Sequence, residues 1–454
     1  MAVDFTIADY CYPVEILRRR AFAERSQWLT PAALVEYQSS RLRQIVAHAY
    51  AQVPYYRELL DRVDVAPRDI RSVEDLPKIP LLSKSMVATH FEALTARHAW
   101  RYGPRRTRTS GSSGPPIEFY LDKASRVLEF VYYWRHWSWL GYRIGTPFAE
   151  LSSVYFLNRP SRSHDLYFYE PLTRRLLLNS LRLSEEAVPA WTEAFARYQP
   201  RYLKGLASAL RVLAELLEPT RGHFRLRGVF STGDTLLSAH RKLVESVFGC
   251  QVLDSYGHME RTFAVSECPS GRYHVNSDYG VLELVPAEGC SAPSGELRTR
   301  VCRAVGTGLH NLAMPLIRYE VGDLIEVDES ASPCPCGRGF PVIRKIGGRE
   351  NDVIETPDGR LITSLFVVFD LVDHIEDGQI VQDDADRILV RVVRAASYQP
   401  CDEVALLSHL KTMLGEQVTI TLDYVDRAAI QAGHVGKTRR VVSHVPSRLL
   451  RQEH

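Results

Sequence analysis

The sequence predicts an α/β protein in which a large N-terminal domain is followed by a small α+β C-terminal domain. Its 454 residues leave room for two to three domains at ~150 residues each. Two strand-like runs, Leu226–Phe230 and Gln251–Ser255, flank the helical stretch Ser238–Phe248, and this spacing is typical of a sheet with parallel strands. Beyond Gly347 a new series of strand-like and helical segments begins. Together these observations predict two domains of unequal size.

The other elements follow from hydrophobic periodicity and from the positions of Gly and Pro. In the first domain we predict helices within 32–63 (broken or kinked at Pro54), 124–140 and 184–218, strands over 279–286, 295–303 and 315–327, and a loop over 330–341. In the second we predict a hairpin over Asp352–Thr363, a strand over 388–394, a helix over 402–414 and a strand over 417–425. We therefore set the domain limits at 1–347 and 348–454, and we expect the smaller domain to be mobile.

The charge balance excludes some classes of partner. The chain has 56 Lys and Arg against 54 Asp and Glu, a net charge of +2, so it offers no overall field for nucleic acid or for an anionic membrane. No stretch approaches the ~20 apolar residues of a membrane span, and Asp4, Asp9 and Glu15 interrupt the N-terminus, which does not resemble a signal peptide. We therefore expect a cytoplasmic protein whose eight cysteines are free thiols or metal ligands.

Five short segments could carry chemistry. In the first, small residues expose backbone N–H groups and four hydroxyls, which could wrap phosphate oxygens, although such a loop is also typical of a flexible connector. The second follows a strand and offers an aromatic ring, a glycine and a carboxylate, a set that could stack a base and hold a cation. The others are Gly-bounded turns with charged residues. In order, the segments are Thr109–Pro116, Asp254–Glu260, Arg318–Asp323, Gly347–Asp352 and Gly433–Arg440.

Four further residues have the character of a zinc site. Cys268 and His274 lie in one Gly/Pro-rich turn, and Cys334 and Cys336 lie in another. Three thiolates and one imidazole form a closed tetrahedral set for Zn²⁺. The alternative is that these four residues are unrelated.

The order and spacing of the five segments resemble the motifs of the adenylate-forming (acyl-AMP) ligase superfamily, over about residues 28–443. TSGSSGPP is similar to its phosphate loop, YGHME to its Tyr-Gly-x-Thr-Glu motif, RYEVGD to its Gly-Asp motif, GRENDVI to its hinge and GKTRRVV to its catalytic-lysine motif. The best-fitting branch is the phenylacetate–CoA ligase and CapK-like group, whose N-terminal stretch resembles QSSRLRQIVAHAYAQVPYYRELL and whose Cys-Pro-Cys-Gly knuckle resembles the one here.

The resemblance implies a role for each matching residue. The ATP phosphates would be bound by Thr109, Ser110, Gly111, Ser112, Ser113 and Gly114; the adenine would be lined by Gly233 and Asp234 and flanked by Ser255, Tyr256 and Gly257. Glu260 would hold Mg²⁺, Asp323 would bind the ribose hydroxyls, and Arg349 would support the nucleotide. The pivot would be Asn351 or Asp352, and Lys437 would contact the carboxylate and the α-phosphate. Glu260 and Lys437 are the expected catalytic residues.

Two positions depart from the family pattern. Pro115 stands where the loop usually has a lysine, so a charge near the outgoing pyrophosphate is absent. Met259 stands where the second motif usually has a threonine, so its hydroxyl is absent as well. These changes put the ATP affinity or the phosphate geometry in doubt and leave a non-catalytic relative as one alternative.

The resemblance implies ATP- and Mg²⁺-dependent activation of a small carboxylic acid as acyl-AMP, followed by transfer to coenzyme A. Transfer to an amine is the second alternative, and a nucleic-acid-binding module, suggested by the cysteine knuckle, is disfavoured by the charge balance. The aromatic helix at 131–139 is interpreted as core, with an acyl pocket for an aryl or arylalkyl acid as the other interpretation. The acid, the acceptor and the oligomeric state, a homodimer included, stay open.

Overall fold

The computed structural model describes residues 13–108, 117–152, 154–157, 159–162, 164–180, 182–287, 290–291, 299–328, 333–349, 354–357, 361–362, 365–430 and 440–445. The predicted phosphate loop Thr109 to Gly114, the pivot candidates Asn351 and Asp352, and Lys437 lie outside these ranges. Within them, no helix is both long and apolar enough to cross a membrane.

The helices differ widely in length. The α-helices are α1 (Pro13–Ser26), α2 (Pro31–Gln52), α3 (Pro54–Arg62), α4 (Lys84–Thr89), α5 (Phe91–Leu94), α6 (Lys123–Ser138), α7 (Val154–Leu157), α8 (Val188–Tyr198), α9 (Ala207–Leu217), α10 (Ser238–Phe248) and α11 (Pro400–Leu414). Short 3₁₀ helices cover Pro67–Asp69, Val73–Lys78, Ala99–Tyr102, Pro160–Arg162, Glu185–Ala187, Glu218–Thr220, Leu365–Asp370 and Arg427–Ala429. The break between α2 and α3 falls at Val53, directly before Pro54, because the proline ring excludes a continuous helix.

The strands are distributed over both regions of the chain. They are β1 (Arg105–Arg108), β2 (Glu118–Leu121), β3 (Phe148–Ser152), β4 (Tyr167–Glu170), β5 (Arg175–Asn179), β6 (Tyr202–Leu206), β7 (Gly228–Thr232), β8 (Val252–Gly257), β9 (Ala264–Glu267), β10 (Tyr273–Val275), β11 (Gly280–Pro286), β12 (Cys290–Ser291), β13 (Thr299–Gly308), β14 (Tyr319–Asp328), β15 (Val342–Ile343), β16 (Lys345–Arg349), β17 (Ile354–Glu355), β18 (Leu361–Ile362), β19 (Ile375–Asp384), β20 (Arg387–Arg394), β21 (Thr419–Tyr424) and β22 (Val441–Ser443).

A nine-stranded sheet forms the centre of the N-terminal region, in the order β15-β10-β9-β8-β7-β6-β3-β5-β4. The strands from β8 to β5 in that order are parallel, and the pairs at both edges are antiparallel. Helices α8, α9 and α10 cover one face through a core that includes Trp191, Leu213 and Val247, and α6 packs on the other face through Trp137, against Phe148 and Phe230. Strand β8 therefore lies inside the molecule and ends next to α6.

A second, antiparallel sheet stands beside the first in the order β11-β13-β14-β16. Strand β16 crosses the predicted domain limit between residues 347 and 348, and its Arg349 is in register with Asp323 of β14. The limit itself stays a prediction. The second sheet brings Asp323 of β14 to the end of β8, with Arg349 of β16 beside it, and the candidate site lies there.

The C-terminal region has a sheet of order β21-β20-β19-β22 and the helix α11, with an apolar core that includes Ile380, Val390 and Leu406. Leu237, just before α10, packs into this core. Arg427 adds an ionic link, because its guanidinium lies 2.5 Å from Glu215 of α9 and 3.0 Å from Glu376 of β19. The two regions therefore share both an apolar and an ionic contact.

The predicted parallel pair around α10 is confirmed, as are the helices near 32–63, 124–140 and 402–414. The interpretation of 184–218 as helical was incomplete, because β6 (Tyr202–Leu206) separates α8 from α9. The predicted strand 315–327 begins only at Tyr319, since Arg318 has φ +54° and leaves extended backbone there. Strands β3 and β5, which complete the parallel block, were not predicted.

Candidate active site

The end of β8 brings three of the predicted nucleotide residues together. Ligands of open α/β sheets bind beyond the carboxyl ends of parallel strands, and Ser255, Tyr256 and Gly257 occupy that position. The Tyr256 hydroxyl donates a short hydrogen bond to the carboxylate of Asp323, and its ring stacks on Phe263 with centroids 5.6 Å apart. The Ser255 hydroxyl donates to the Ser231 carbonyl at 3.0 Å, which ties β8 to β7. The backbone of Arg349 lies beside Asp323 through the β14–β16 register.

Glu260 lies on the turn after β8, and close backbone packing fixes that turn. A Cβ atom on Gly280 would come within 1.8 Å of the Thr262 carbonyl oxygen, and one on Gly306 within 1.9 Å of the Thr262 hydroxyl, so only glycine fits beneath the turn. Glu260 is 9% exposed, and its carboxylate accepts a hydrogen bond from the Tyr319 hydroxyl at 2.7 Å.

Burial raises the pKa of Glu260 and outweighs the hydrogen bond from Tyr319 and the charge of Lys84, which lower it; the charge of Asp323 raises it as well. A carboxylate destabilised by burial and by a neighbouring carboxylate is stabilised by a divalent cation. Oxygen donors of this type suit Mg²⁺. The buried carboxylate of Glu260 therefore fits the predicted Mg²⁺ site.

Gly233 and Asp234 lie after β7, and the structure gives Asp234 a structural contact. Gly233 has φ +83°, a conformation that glycine adopts without strain. The Asp234 carboxylate accepts hydrogen bonds from the backbone N–H groups of Ala207, at 2.5 Å, and Ser208, at 3.2 Å. These are the first residues of α9, where orphan N–H groups and the helix dipole favour an acidic side chain. The predicted contact of Gly233 and Asp234 with adenine stays a prediction.

A cavity that opens to solvent adjoins the nucleotide residues. Its wall includes Ser255, Tyr256 and Gly257 on one side and the side chains of α6 on the other; the α6 residues are Glu129, Tyr132, Tyr133 and His136. These four share one helix face, at the spacing i, i+3, i+4, i+7. This face of α6 therefore lines a cavity, while Val127, Val131 and Trp134 belong to the core; the acyl-pocket role stays a prediction.

Two residues carry no signal in the sequence: Arg261, which contacts a residue of the cavity wall, and Tyr279, which is part of that wall. Arg261 forms a short ion pair with Glu129, and Tyr279 enters the wall from the segment before β11. Both come from chain segments far from α6. The helical spacing of Glu129 and His136 is the signal that could have identified the cavity-facing side of α6.

The four predicted zinc ligands converge in the structure. The ligand atoms of Cys268, His274, Cys334 and Cys336 all lie within 4.8 Å of one another. The Cys268 and Cys334 sulfurs are 3.6 Å apart, and the Cys336 sulfur is 3.3 Å from Nε2 of His274. With Zn–S bonds of ~2.3 Å, tetrahedral thiolates would be ~3.8 Å apart, so the spacing suits zinc. The His274 Nδ1 lies 3.2 Å from the Phe340 carbonyl, which keeps Nε2 available as the ligand atom.

Comparisons with known proteins agree with this geometry. Residues 354–444 match the family model of the CapK C-terminal domain. The chain is 33% identical to the phenylacetate-coenzyme A ligase of Escherichia coli (strain K12) over 336 residues, which cover 70% of this chain and 71% of that one. It is 20% identical to protein CapK of Staphylococcus aureus over 424 residues, 91% of this chain and 90% of that one. A crystal structure of 2-hydroxyisobutyryl-CoA ligase in complex with 2-HIB-AMP matches with a TM-score of 0.69 at 18% identity, covering 94% of this chain and 93% of that one.

Proposed function

Because this chain belongs to the phenylacetate–CoA ligase and CapK branch of the adenylate-forming ligases, and is thus an AMP-forming carboxylate ligase, we propose that it converts an aryl or arylalkyl carboxylic acid into its coenzyme A thioester. In the first half-reaction the acid attacks the α-phosphorus of ATP, and pyrophosphate leaves. In the second, the thiol of coenzyme A attacks the acyl carbonyl, and AMP leaves.

One observation carries the proposal: the cavity and the nucleotide residues share a strand. Tyr256 lines the cavity and also bonds Asp323, the residue expected at the ribose. An acid in the cavity would therefore hold its carboxylate beside the α-phosphate, and this proximity removes much of the entropic cost of the reaction. The aromatic walls supplied by Tyr132, Tyr133, Phe263 and Tyr279 favour a ring in the acyl group.

Negative charge must be neutralised as the anionic carboxylate approaches an anionic phosphate. Mg²⁺, when bound at Glu260, would supply Lewis-acid stabilisation of the phosphate oxygens. Lys437 would add a cation at the carboxylate and α-phosphate, with Thr109 to Gly114 supplying backbone amides. Asp323 and Arg349 would orient the nucleotide.

We also propose that the cysteine knuckle, defined as Cys268, His274, Cys334 and Cys336, holds a structural Zn²⁺. Its four protein ligands leave no open position, as in structural zinc sites. Burial raises the pKa of Cys334 to about 12; it also opposes ionisation of Cys336, but hydrogen bonds from the backbone and side chain of Arg338 lower the pKa of that thiol, so Cys336 is the ligand that more readily forms the thiolate.

The test follows the two half-reactions separately. The full chain is incubated with ATP, Mg²⁺ and a panel of aryl and alkyl acids, and pyrophosphate release is measured. Product formation is then measured with coenzyme A and, in parallel, with amines. Thioester formation supports the proposal; amide formation would replace it with the amine-transfer alternative; and no pyrophosphate release with any acid would refute it.

Lys437→Ala provides the site-specific arm of the test. A single charge contact that acts in the transition state is worth ~10²–10³ in rate, so pyrophosphate release should fall by about that factor. Lys411→Ala is the matched control, since Lys411 is half-exposed and pairs only with Glu416 at 3.5 Å among the ion pairs of the described residues. Wild-type adenylation by the Lys437 variant would remove this lysine from the mechanism.

A further inference from the structure

Arginines and carboxylates of both regions form one ionic network at the contact between them. In the part of the chain that the structure describes, its arginines are Arg211, Arg427 and Arg440, and its carboxylates are Glu215, Glu376 and Asp377. Arg211 and Glu215 belong to α9 of the N-terminal region, and the other four belong to the C-terminal region. The pairs form an unbroken chain in which positive and negative groups alternate.

Asp377 of β19 is the buried junction of this network. Its carboxylate forms a short ion pair with Arg440 and lies 3.8 Å from a guanidinium nitrogen of Arg211. Arg211, Asp377 and Arg440 are 5%, 2% and 7% exposed, so solvent and salt screen these charges little. Burial and the charges of Arg440 and Arg211 lower the pKa of His240 well below its usual range, so this ring adds no further positive charge. Separating Arg211 from Asp377 would leave buried charges less compensated, which makes the contact costly to break.

Arg440 anchors the end of the predicted lysine motif to β19. It follows Lys437 by three residues in the sequence. Its guanidinium donates a hydrogen bond to the Gly378 carbonyl at 3.2 Å, and its own carbonyl accepts one from the Ile380 N–H at 2.8 Å. Three residues of chain span at most ~10 Å, so the position of Arg440 limits where Lys437 can act.

Helix α9 connects the network to the predicted adenine segment. The Asp234 carboxylate accepts hydrogen bonds from the N–H groups of Ala207 and Ser208 at the start of α9. Arg211 comes four residues after Ala207, about one turn along the same helix. A continuous line of contacts therefore runs from the residue expected at the adenine to the end of the lysine motif.

We infer, on the basis of the proposed function, that Arg211 and Asp377 are positioning residues for adenylation: acting through Arg440, they hold the segment that carries Lys437 towards the nucleotide. Adenylation needs the lysine cation where the carboxylate meets the α-phosphate. The second half-reaction brings no carboxylate to the α-phosphate, so it depends less on this cation. Loss of the contact between Arg211 and Asp377 should therefore slow the first half-reaction more than the second.

The first test measures each half-reaction by itself in the full chain. Pyrophosphate release is followed with ATP, Mg²⁺ and an accepted acid, and thioester formation is followed from the preformed acyl-AMP and coenzyme A. Arg211→Gln should slow pyrophosphate release by about 10- to 100-fold, the loss that a small misplacement of a reacting group causes, and should leave thioester formation near the wild-type rate. Arg211→Lys keeps the charge and should restore most of the first rate.

The outcomes of this test separate the inference from the proposed function. Equal slowing of both half-reactions in Arg211→Gln, or no slowing of either, would overturn the inference and leave the proposed function intact. No pyrophosphate release by the wild-type chain with any acid would refute both. The control is Arg241→Gln, which removes a partly buried ion pair with Glu267 inside the N-terminal region and should leave the ratio of the two rates unchanged.

The second test asks whether Arg211 acts through Lys437. If it does, Arg211→Gln should cause no further loss of pyrophosphate release in the Lys437→Ala background, because the group that it positions is already absent. Asp377→Asn breaks the same contact from the C-terminal side and should behave in the same way, which keeps the test open if one variant does not fold. Losses that multiply in the double variants would overturn the inference, because a residue that only supports the fold acts independently of the lysine.

Discussion

Replacing Glu150 with glutamine should strongly destabilise the centre of the nine-stranded sheet. Glu150 of β3 is fully buried and pairs with two cations from the flanking strands, Arg175 of β5 and Lys204 of β6, the latter at 3.2 Å. Both cations are at most 5% exposed. Removing one partner of a buried pair leaves the other charge uncompensated and costs ~3–5 kcal/mol. Because two pairs share this carboxylate, we expect a loss near the top of that range.

The effect should depend on pH. Burial opposes ionisation of Glu150, but the charges of Lys204 and Arg175 lower its pKa overall. A lowered pKa in the folded state stabilises the protein above the pKa of the unfolded chain, near ~4.3, and this contribution is lost as the pH falls through the folded value. The difference between wild type and Glu150→Gln should thus be full at pH 7 and shrink under acidic conditions.

The assay is urea unfolding followed by tryptophan fluorescence, since Trp191 is buried in the core on this sheet. Glu118→Gln is the matched control: Glu118 pairs with Arg106 on the surface, and such a pair contributes only ~0–1 kcal/mol. Lys204→Met should cost less than Glu150→Gln, because the Arg175–Glu150 pair remains. If Glu150→Gln shifts the unfolding free energy no more than the surface control does, the reasoning is refuted.

Three further predictions concern the metal, the pH response and the domain contact. Cys334→Ser should remove about one zinc per chain and lower the melting temperature. The control is Cys401→Ser, which changes an exposed cysteine and should do neither. If wild-type protein purified without chelators contains no zinc, the site is refuted. Burial and the charge of Glu267 together raise the pKa of Asp254 to about 7, so the folded state favours the protonated carboxyl and loses stability as the pH rises from 4 to 7. Over that range Asp254→Asn should gain stability relative to wild type, by up to about 4 kcal/mol. A stability difference between the two proteins that does not change with pH would contradict this prediction. Glu215→Gln removes the α9 partner of Arg427 and should change the rates of pyrophosphate release and thioester formation unequally. The control is Glu218→Gln, whose partner Arg221 lies in the same region, and it should change neither rate. Equal changes of both rates in the Glu215 variant would exclude a role of this contact in domain movement.

The fold was predictable except where buried charges interrupt the strands. A buried parallel strand normally reads as a continuous apolar run. Strands β3, β5 and β6 each contain a member of the buried ionic group, Glu150, Arg175 and Lys204; β6 fell within the stretch predicted as helical, and β3 and β5 were not predicted. The charges compensate one another only after the three strands pair, so the information lies in tertiary structure and not in any single segment.

The sequence likewise predicts part of the candidate site and not the rest. The motifs predicted Tyr256, Glu260 and Asp323 as nucleotide and metal residues; the structure brings Tyr256 and Asp323 into contact, and their roles stay predictions. The knuckle could be predicted because its ligands come as two close pairs. The cavity wall could not, because Glu129 and His136 of α6 come together with Tyr256 and Val265 only when α6 packs against β8 and β9.

The cysteine knuckle lies beside the wall of the cavity. Glu267, whose carbonyl orients His136, immediately precedes Cys268 in the chain. Arg338, two residues beyond Cys336, stacks over Trp139 just after the end of α6, with 4.0 Å between its guanidinium carbon and the ring centroid. The predicted zinc ligands thus lie next to residues on both sides of the cavity wall, by β9 and by the end of α6. If the knuckle holds zinc as proposed, chelation during purification would loosen this wall and leave the contact between Tyr256 and Asp323 in place, so metal content should be measured before activities are compared between preparations.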